Sequence, residues 1–247
     1  MPRELPAARR QGPGAIRPGP LPRSVVVPTL DGGMRFLSLL ERLARQDLDG
    51  GFELVVIDSG SRDGTPEAAE RMGARVERIA RSEFDHGETR NRAIALTAGE
   101  RVALLVQDAL PAADDYLTRL FSALDDARVD GAWARQVPRP DCDPILAERL
   151  RTWPGSSPEP RRVTLVPERS DAGAGAGEPD AARASFEALA PLERYRACLF
   201  DDVASCVRRR PWERVPFPPS PGGGDVAWAR AGVLAAGSEL VRRDDTF

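Results

Sequence analysis

The 247-residue chain carries 35 basic and 38 acidic residues, a single histidine, three cysteines and 41% apolar residues. That supports one large α/β domain or two small ones, and a net charge of -3 gives no reason to expect a nucleic-acid partner. One histidine, His86, excludes a multi-histidine zinc site, and no apolar run approaches the roughly 18 residues of a membrane span. Cys142, Cys198 and Cys206 lack CxxC spacing, and there is no signal peptide, so the thiols read as reduced and the chain as cytoplasmic. Every basic residue is arginine, a bias of composition rather than a functional choice.

Residues 1–22 are rich in Pro, Gly, Ala and Arg and read as a disordered tail, with at most a weak contact to anionic lipid headgroups. Ser24 to Val27, closed by Pro28, is the first predicted strand. Phe36, Leu37, Leu40, Leu43 and Ala44 then fall on one face of a helix over 34–46. Phe52 to Ile57 is a second strand, ending in Asp58 and followed by the turn Ser59-Gly60-Ser61-Arg62-Asp63-Gly64. Thr65 reads as the N-cap of the next helix, with Pro66 at its first position. Arg75 to Ile79 is a third strand, and Phe84-Asp85-His86-Gly87 leads into a helix over 88–98, closed by Gly99.

The unbroken apolar run Val102 to Val106 reads as a central strand buried on both faces, ending in Gln107-Asp108. Ligands of open α/β sheets bind outside the carboxyl ends of the strands, which puts Asp58 and Asp108 at the lip of a crevice. The plainer alternative is that Asp108 only starts the turn before Pro111. Asp114 reads as the cap of a helix through Leu124, and Gly131 to Arg135 as the next strand. This alternation predicts an α/β domain with a mostly parallel, Rossmann-like sheet flanked by helices. Beyond it come a helix over 144–152, a flexible Pro/Gly-rich insertion over 154–182 holding a short strand over 163–166, and a helix over 186–195. An extended segment over 201–207 follows, then a helix over 225–236, with Leu240-Val241 beginning a last strand.

The segments Val25-Val26-Val27-Pro28-Thr29, Val56-Ile57-Asp58-Ser59-Gly60-Ser61-Arg62-Asp63-Gly64-Thr65 and Thr89-Arg90-Asn91 resemble the inverting family 2 glycosyltransferases of the GT-A fold. Within that family, Phe84 to Asn91, Gln107-Asp108-Ala109, Arg135-Gln136, Trp212-Glu213 and Asp225-Val226-Ala227-Trp228 are most similar to the rhamnosyltransferase branch. The resemblance runs from about Ser24 to Gly237 outside the insertion.

It implies a single domain over 23–247, with a nucleotide-sugar-binding half over 23–136 and an acceptor-side half over 183–247. The implied donor is a deoxythymidine or uridine diphosphate sugar, with rhamnose a candidate. The implied acceptor is a saccharide or lipid-linked saccharide of a cell-surface polymer, met in the cytoplasm or at the inner face of the plasma membrane. Pro28, Thr29, Asp58, Ser59, Gly60, His86, Arg90, Asn91 and Gln107 are the implied donor-binding residues. Asp108 would hold Mg²⁺ or Mn²⁺, and Asp225 would be the catalytic base.

Each role has a plainer rival. Asp58 either accepts from the base imide or holds its own turn. Arg90 meets phosphate or is a solvated charge, His86 meets the donor or satisfies nearby backbone, and Asp225 is the base or an N-cap. Gln107 stands where many relatives have a second acid, and Gly224 where a glutamate is usual. Relatives also continue past the last helix, often with a metal-binding histidine, so the chain reads as C-terminally truncated. Two functions therefore stand: an inverting transferase, or a non-catalytic relative that binds nucleotide or saccharide without turnover. The first strand lacks the G-x-G-x-x-G of a dinucleotide-dependent oxidoreductase and the basic glycine-rich loop of a nucleotidyltransferase.

Overall fold

The computed structural model describes residues 15–153, 156, 161–163, 184, 186–220, 224–236 and 239–243. Its strands are β1 (Arg23–Thr29), β2 (Glu53–Asp58), β3 (Arg75–Arg78), β4 (Arg101–Leu105), β5 (Val129–Ala134), β6 (Arg161–Val163), β7 (Ala204–Arg208) and β8 (Glu239–Arg243). They form one mixed sheet in the order β3-β2-β1-β4-β7-β5-β8-β6. The first four strands are parallel, with Thr29 opposite Asp58 and Val26 opposite Leu104. The β-branched runs of β1 and β2 suit strands covered on both faces, and β2 is buried at all six positions.

Pleating sends alternate side chains to opposite faces and builds two cores. One face of the sheet gathers Val25, Val27, Leu54 and Val56 against Phe36, Leu39, Leu40 and Leu43 of helix α1 (Gly33–Ala44). The other gathers Val26, Val55, Ile57, Val102 and Leu104 with Trp133, Phe200, Phe217 and Trp228. There Phe217 stacks on Trp228 at 4.9 Å between ring centroids, and Phe200 meets the same indole at 4.9 Å. The remaining helices are α2 (Thr65–Arg71), α3 (His86–Ala95), α4 (Tyr116–Ser122), α5 (Pro144–Thr152), α6 (Pro191–Ala197), α7 (Arg209–Arg214) and α8 (Gly224–Ala236).

The sheet departs from the predicted parallel order at its centre. The segment expected only to be extended near 201–207 is strand β7, which runs antiparallel between β4 and β5. The expected last strand is present as β8, parallel to β5, and β6 covers the start of the short strand expected inside the insertion. The other expectations for the insertion, and those for residues 1–14, lie outside the described residues.

Residues 15–22 do not behave as tail. Ala15 and Ile16 are buried, and Ile16 makes a parallel bridge to Phe52. Thr65 does not cap its helix. The N-cap position is Gly64, at φ 85°, a backbone conformation that favours glycine. The Asp63 carboxylate accepts from the Thr65 amide at 3.0 Å, while the Thr65 hydroxyl accepts from Gly32 N. Asp114 likewise forgoes capping for an ion pair with Arg45 at 3.1 Å, and α4 starts beyond Asp115.

Candidate active site

In the sheet, β1 lies between β2 and β4, so the chain reverses its direction of travel across the sheet at β1, the place where open α/β sheets leave a crevice. A cleft of about 630 Å³ opens there. Its walls include Pro28, Thr29, Ser59, Arg81, His86, Arg90, Gln107, Asp108, Asp202, Gly224 and Asp225. Eight of the residues singled out from the sequence thus meet in one space: Pro28, Thr29, Ser59, His86, Arg90, Gln107, Asp108 and Asp225. Asp58, Gly60 and Asn91 do not line it.

Local folding explains much of the wall. Gln107 clamps the backbone of Leu30, its Oε1 accepting from Leu30 N at 2.8 Å and its Nε2 donating to Leu30 O at 3.1 Å. An acid here would face that carbonyl without a proton to donate, so the amide suits the position. Asp58 is buried and saturated: Oδ1 accepts from the amides of Gly60 and Ser61, and Oδ2 from the hydroxyls of Thr29 and Ser61. Those bonds hold the turn beyond β2 beneath the cleft. The Ser59 hydroxyl donates to Thr29 O at 2.9 Å, tying the ends of β1 and β2 together.

Helix α3 begins with a full side-chain cap, Asp85 Oδ1 accepting from Gly87 N and Glu88 N. The same carboxylate accepts from Ser220 N at 2.9 Å, and these bonds, that from Glu88 foremost, hold it below the usual carboxylate range. Asn91 completes the join. Its Nδ2 donates to Phe217 O, while its Oδ1 accepts from Trp212 Nε1 at 2.8 Å and Phe217 N at 3.0 Å. Asn91 is thus spent on fastening the chain beyond α7 to α3, which brings the start of α8 to the cleft. Asp225 lies in the first turn of α8 rather than at its cap, with Oδ1 accepting from Val226 N.

The sequence reading missed two acids. Asp201 and Asp202 precede β7, and their carboxylates lie with that of Asp225 within 4.8 Å of one another, close enough to hold an ion between them. Asp202 pairs with Arg90, Oδ1 to Nη2 at 3.1 Å, and Arg90 is itself buried. Burial raises the proton affinity of Asp202, and Arg90 opposes that rise. Asp201 is almost wholly buried, which pushes its pKa up to about 7 despite hydrogen bonds from Gln136 and the Val203 amide. An adjacent acid pair ahead of a strand was the only signal the sequence offered.

Asp108 is a second place that could take part in holding a cation. Its carboxylate is half exposed at the cleft wall, with Arg35 no nearer than 3.8 Å. Mg²⁺ is commonly held by one or two carboxylates completed by substrate phosphates, so a single acid suffices. In the triad, N–H donors already occupy Asp201 and a guanidinium stands against Asp202.

Residues 24–176, more than half of the chain, match the model of glycosyl transferase family 2. The chain belongs to that family. Among curated proteins, this family 2 chain is 32% identical over 124 residues to the O-antigen chain rhamnosyltransferase RfbN of Salmonella typhimurium, a match covering 49% of this chain and 39% of the relative. It is 30% identical over 123 residues to WbaN of Salmonella anatum, named as the same activity, with the same coverage. The matches thus span about two fifths of the length of these relatives.

Two solved structures share its fold. The mannosyltransferase PcManGT of Pyrobaculum calidifontis, described in complex with GDP-Man and Mn²⁺, superposes at TM-score 0.59 and 20% identity over 96% of this chain and 59% of its own. TarS of S. aureus, described in complex with UDP-GlcNAc, superposes at TM-score 0.61 and 20% identity over 91% of this chain and 56% of its own. The GT-A expectation therefore holds, with an antiparallel strand set into a mostly parallel sheet.

Proposed function

We propose that this chain transfers a sugar, rhamnose first among the candidates, from a deoxythymidine or uridine diphosphate donor to a saccharide acceptor with inversion at the anomeric carbon. The observation that carries this reading is that Asp108 and Asp225 line one cleft at the reversal point of the sheet. Rhamnose is favoured because two curated relatives are named O-antigen chain rhamnosyltransferases. Those names also favour an acceptor belonging to a cell-surface polymer; in this reading it is met in the cytoplasm or at the inner face of the plasma membrane. Among the described residues, no helix is long and apolar enough to cross a membrane.

In this mechanism the donor half, 23–136, holds the nucleotide above the β1 and β2 ends, and the acceptor half, 183–247, supplies the base. Asp225 takes the proton of the attacking hydroxyl as its oxygen bonds to the anomeric carbon. The bond from that carbon to the diphosphate breaks on the opposite face, which inverts the configuration. Asp108 would hold Mg²⁺ or Mn²⁺, which when bound stabilises the charge on the departing diphosphate. Gln107 keeps Leu30 in place beside that charge.

Calorimetric titration with uridine, deoxythymidine and guanosine diphosphates, each with Mn²⁺ and again with chelator, tests the donor assignment. Metal-dependent binding of a pyrimidine diphosphate is expected, and Asp108→Asn is expected to abolish it without unfolding the protein. A folded protein that binds none of the three overturns the reading. Asp225→Asn should retain nucleotide affinity while lowering turnover by about two to four orders of magnitude. Unchanged turnover would leave Asp225 a helix-end acid and nothing more.

A further inference from the structure

Arg90 carries a donor that no group among the described residues uses. Its Nη1 donates to His86 O at 2.8 Å and its Nη2 meets Asp202 at 3.1 Å, but Nε is buried without a partner. The side chain is only 4% exposed and lines the cleft. A buried N–H left unpaired costs free energy that a bound ligand can recover. Nε and Nη2 lie on one edge of the planar guanidinium, and Nη2 is the nitrogen that meets Asp202.

The charge around that N–H decides what it takes. One guanidinium stands among Asp201, Asp202 and Asp225, whose carboxylates approach within 4.8 Å of one another. Arg81 and His86 line the same cleft, and Asp202 and Asp225 add two carboxylate acceptors to it. A phosphate dianion brings no proton for those carboxylates, whereas a neutral hydroxyl can donate to a carboxylate and accept from Nε. Neighbouring gauche hydroxyls of a pyranose stand about one hydrogen-bond length apart, a spacing that two carboxylates this close can span.

We infer that Asp202 and Arg90 Nε form a saccharide subsite beside Asp225, reading the hydroxyl adjacent to the one that attacks. This rests on the transferase reading and deepens it: the acceptor carries a vicinal diol, Asp225 meets one hydroxyl, and Asp202 with Arg90 grips its neighbour. Asp202 also supplies the second carboxylate beside Asp225 that the family pattern would place at Gly224. Arg90 then serves the sugar rather than the diphosphate.

Saturation-transfer NMR in the presence of deoxythymidine diphosphate tests this with methyl rhamnoside, mannoside, galactoside and glucoside and their monodeoxy counterparts. At least one parent glycoside is expected to bind, with one of its deoxy analogues weaker by about tenfold or more, as suits a lost bond to a charged group. Asp202→Asn should bring parent and analogue to the same affinity while leaving nucleotide affinity unchanged. Should that variant fail to fold with Arg90 uncompensated, Arg90→Gln combined with Asp202→Asn removes both charges and carries the same expectation.

Equal binding of every parent and deoxy analogue by the unaltered protein overturns the inference, as does discrimination that survives Asp202→Asn or no binding of any glycoside. So does a loss of nucleotide affinity confined to the Asp202 variant, which would return Arg90 to the diphosphate. Absence of nucleotide binding by the unaltered protein would instead count against the transferase reading itself.

Discussion

Asp201 shows how one buried acid couples the site to the stability of the fold. In the unfolded chain its carboxyl has an ordinary pKa of 3.8, and in the fold burial raises it to about 7. Between these values the folded protein holds a proton that the unfolded chain has released, so this group's contribution to stability falls as pH rises from about 4 to about 7 and is flat beyond. Asp201→Asn imitates the protonated carboxyl, with the Gln136 amide turning over to accept from it. Its stability gain over the parent protein is expected to grow by roughly 2–3 kcal/mol between pH 5 and pH 8, read from denaturant unfolding at both values. A gain that does not change with pH would show that Asp201 is ionised throughout. At this scale the sequence was informative for Asp108 and Asp225, each ending or opening a recognisable element, and the two do line one cleft. It was silent on Asp201 and Asp202, because their meaning comes from Arg90, about 110 residues earlier in the chain.

Helix α3 shows the same limit for elements. Its existence was legible from the loop before it, yet it starts at His86 because Asp85 caps it and ends at Ala95 with Leu96 at the C-cap, short of the expected close at Gly99. Nor could the sequence distinguish an Asn91 that touches a donor from one that fastens α3 to the segment beyond α7. The two roles predict different outcomes. Asn91→Ala strands the Trp212 indole N–H and the Phe217 amide, for an expected loss of about 2–4 kcal/mol and a fall in melting temperature of roughly 5–15 °C. Nucleotide affinity measured well below the melting range should stay unchanged. A stable variant with weakened nucleotide binding would restore Asn91 to the donor site. Gly87 belongs to the same join, since a Cβ there would lie 2.0 Å from Pro218 O, leaving space for glycine alone.

For the molecule as a whole, the parallel strands were readable because β1, β2 and β4 are apolar or β-branched runs, closed by Pro28-Thr29, by Asp58 and by Gln107-Asp108. β7 was not, because Ala204-Ser205-Cys206-Val207 is short and built of small residues, and its place is fixed by pairing with strands remote in sequence. That placement governs how the protein can be made. When a ribosome has delivered the first five strands, β4 and β5 still lack the neighbour that will lie between them, and both present unpaired backbone for as long as it takes to synthesise some seventy further residues. Closing such distant pairings is slow and leaves the nascent chain open to association with its copies. A chain ending at Phe200 is therefore expected to collect in aggregates, while one that extends through α8 stays dispersed, as sedimentation of the two expressed side by side would show. Dispersed, cooperatively melting protein from the shorter chain would mean that β4 and β5 can pair without the late strand. The gene's second half is thus less an appendage than the keystone of its first.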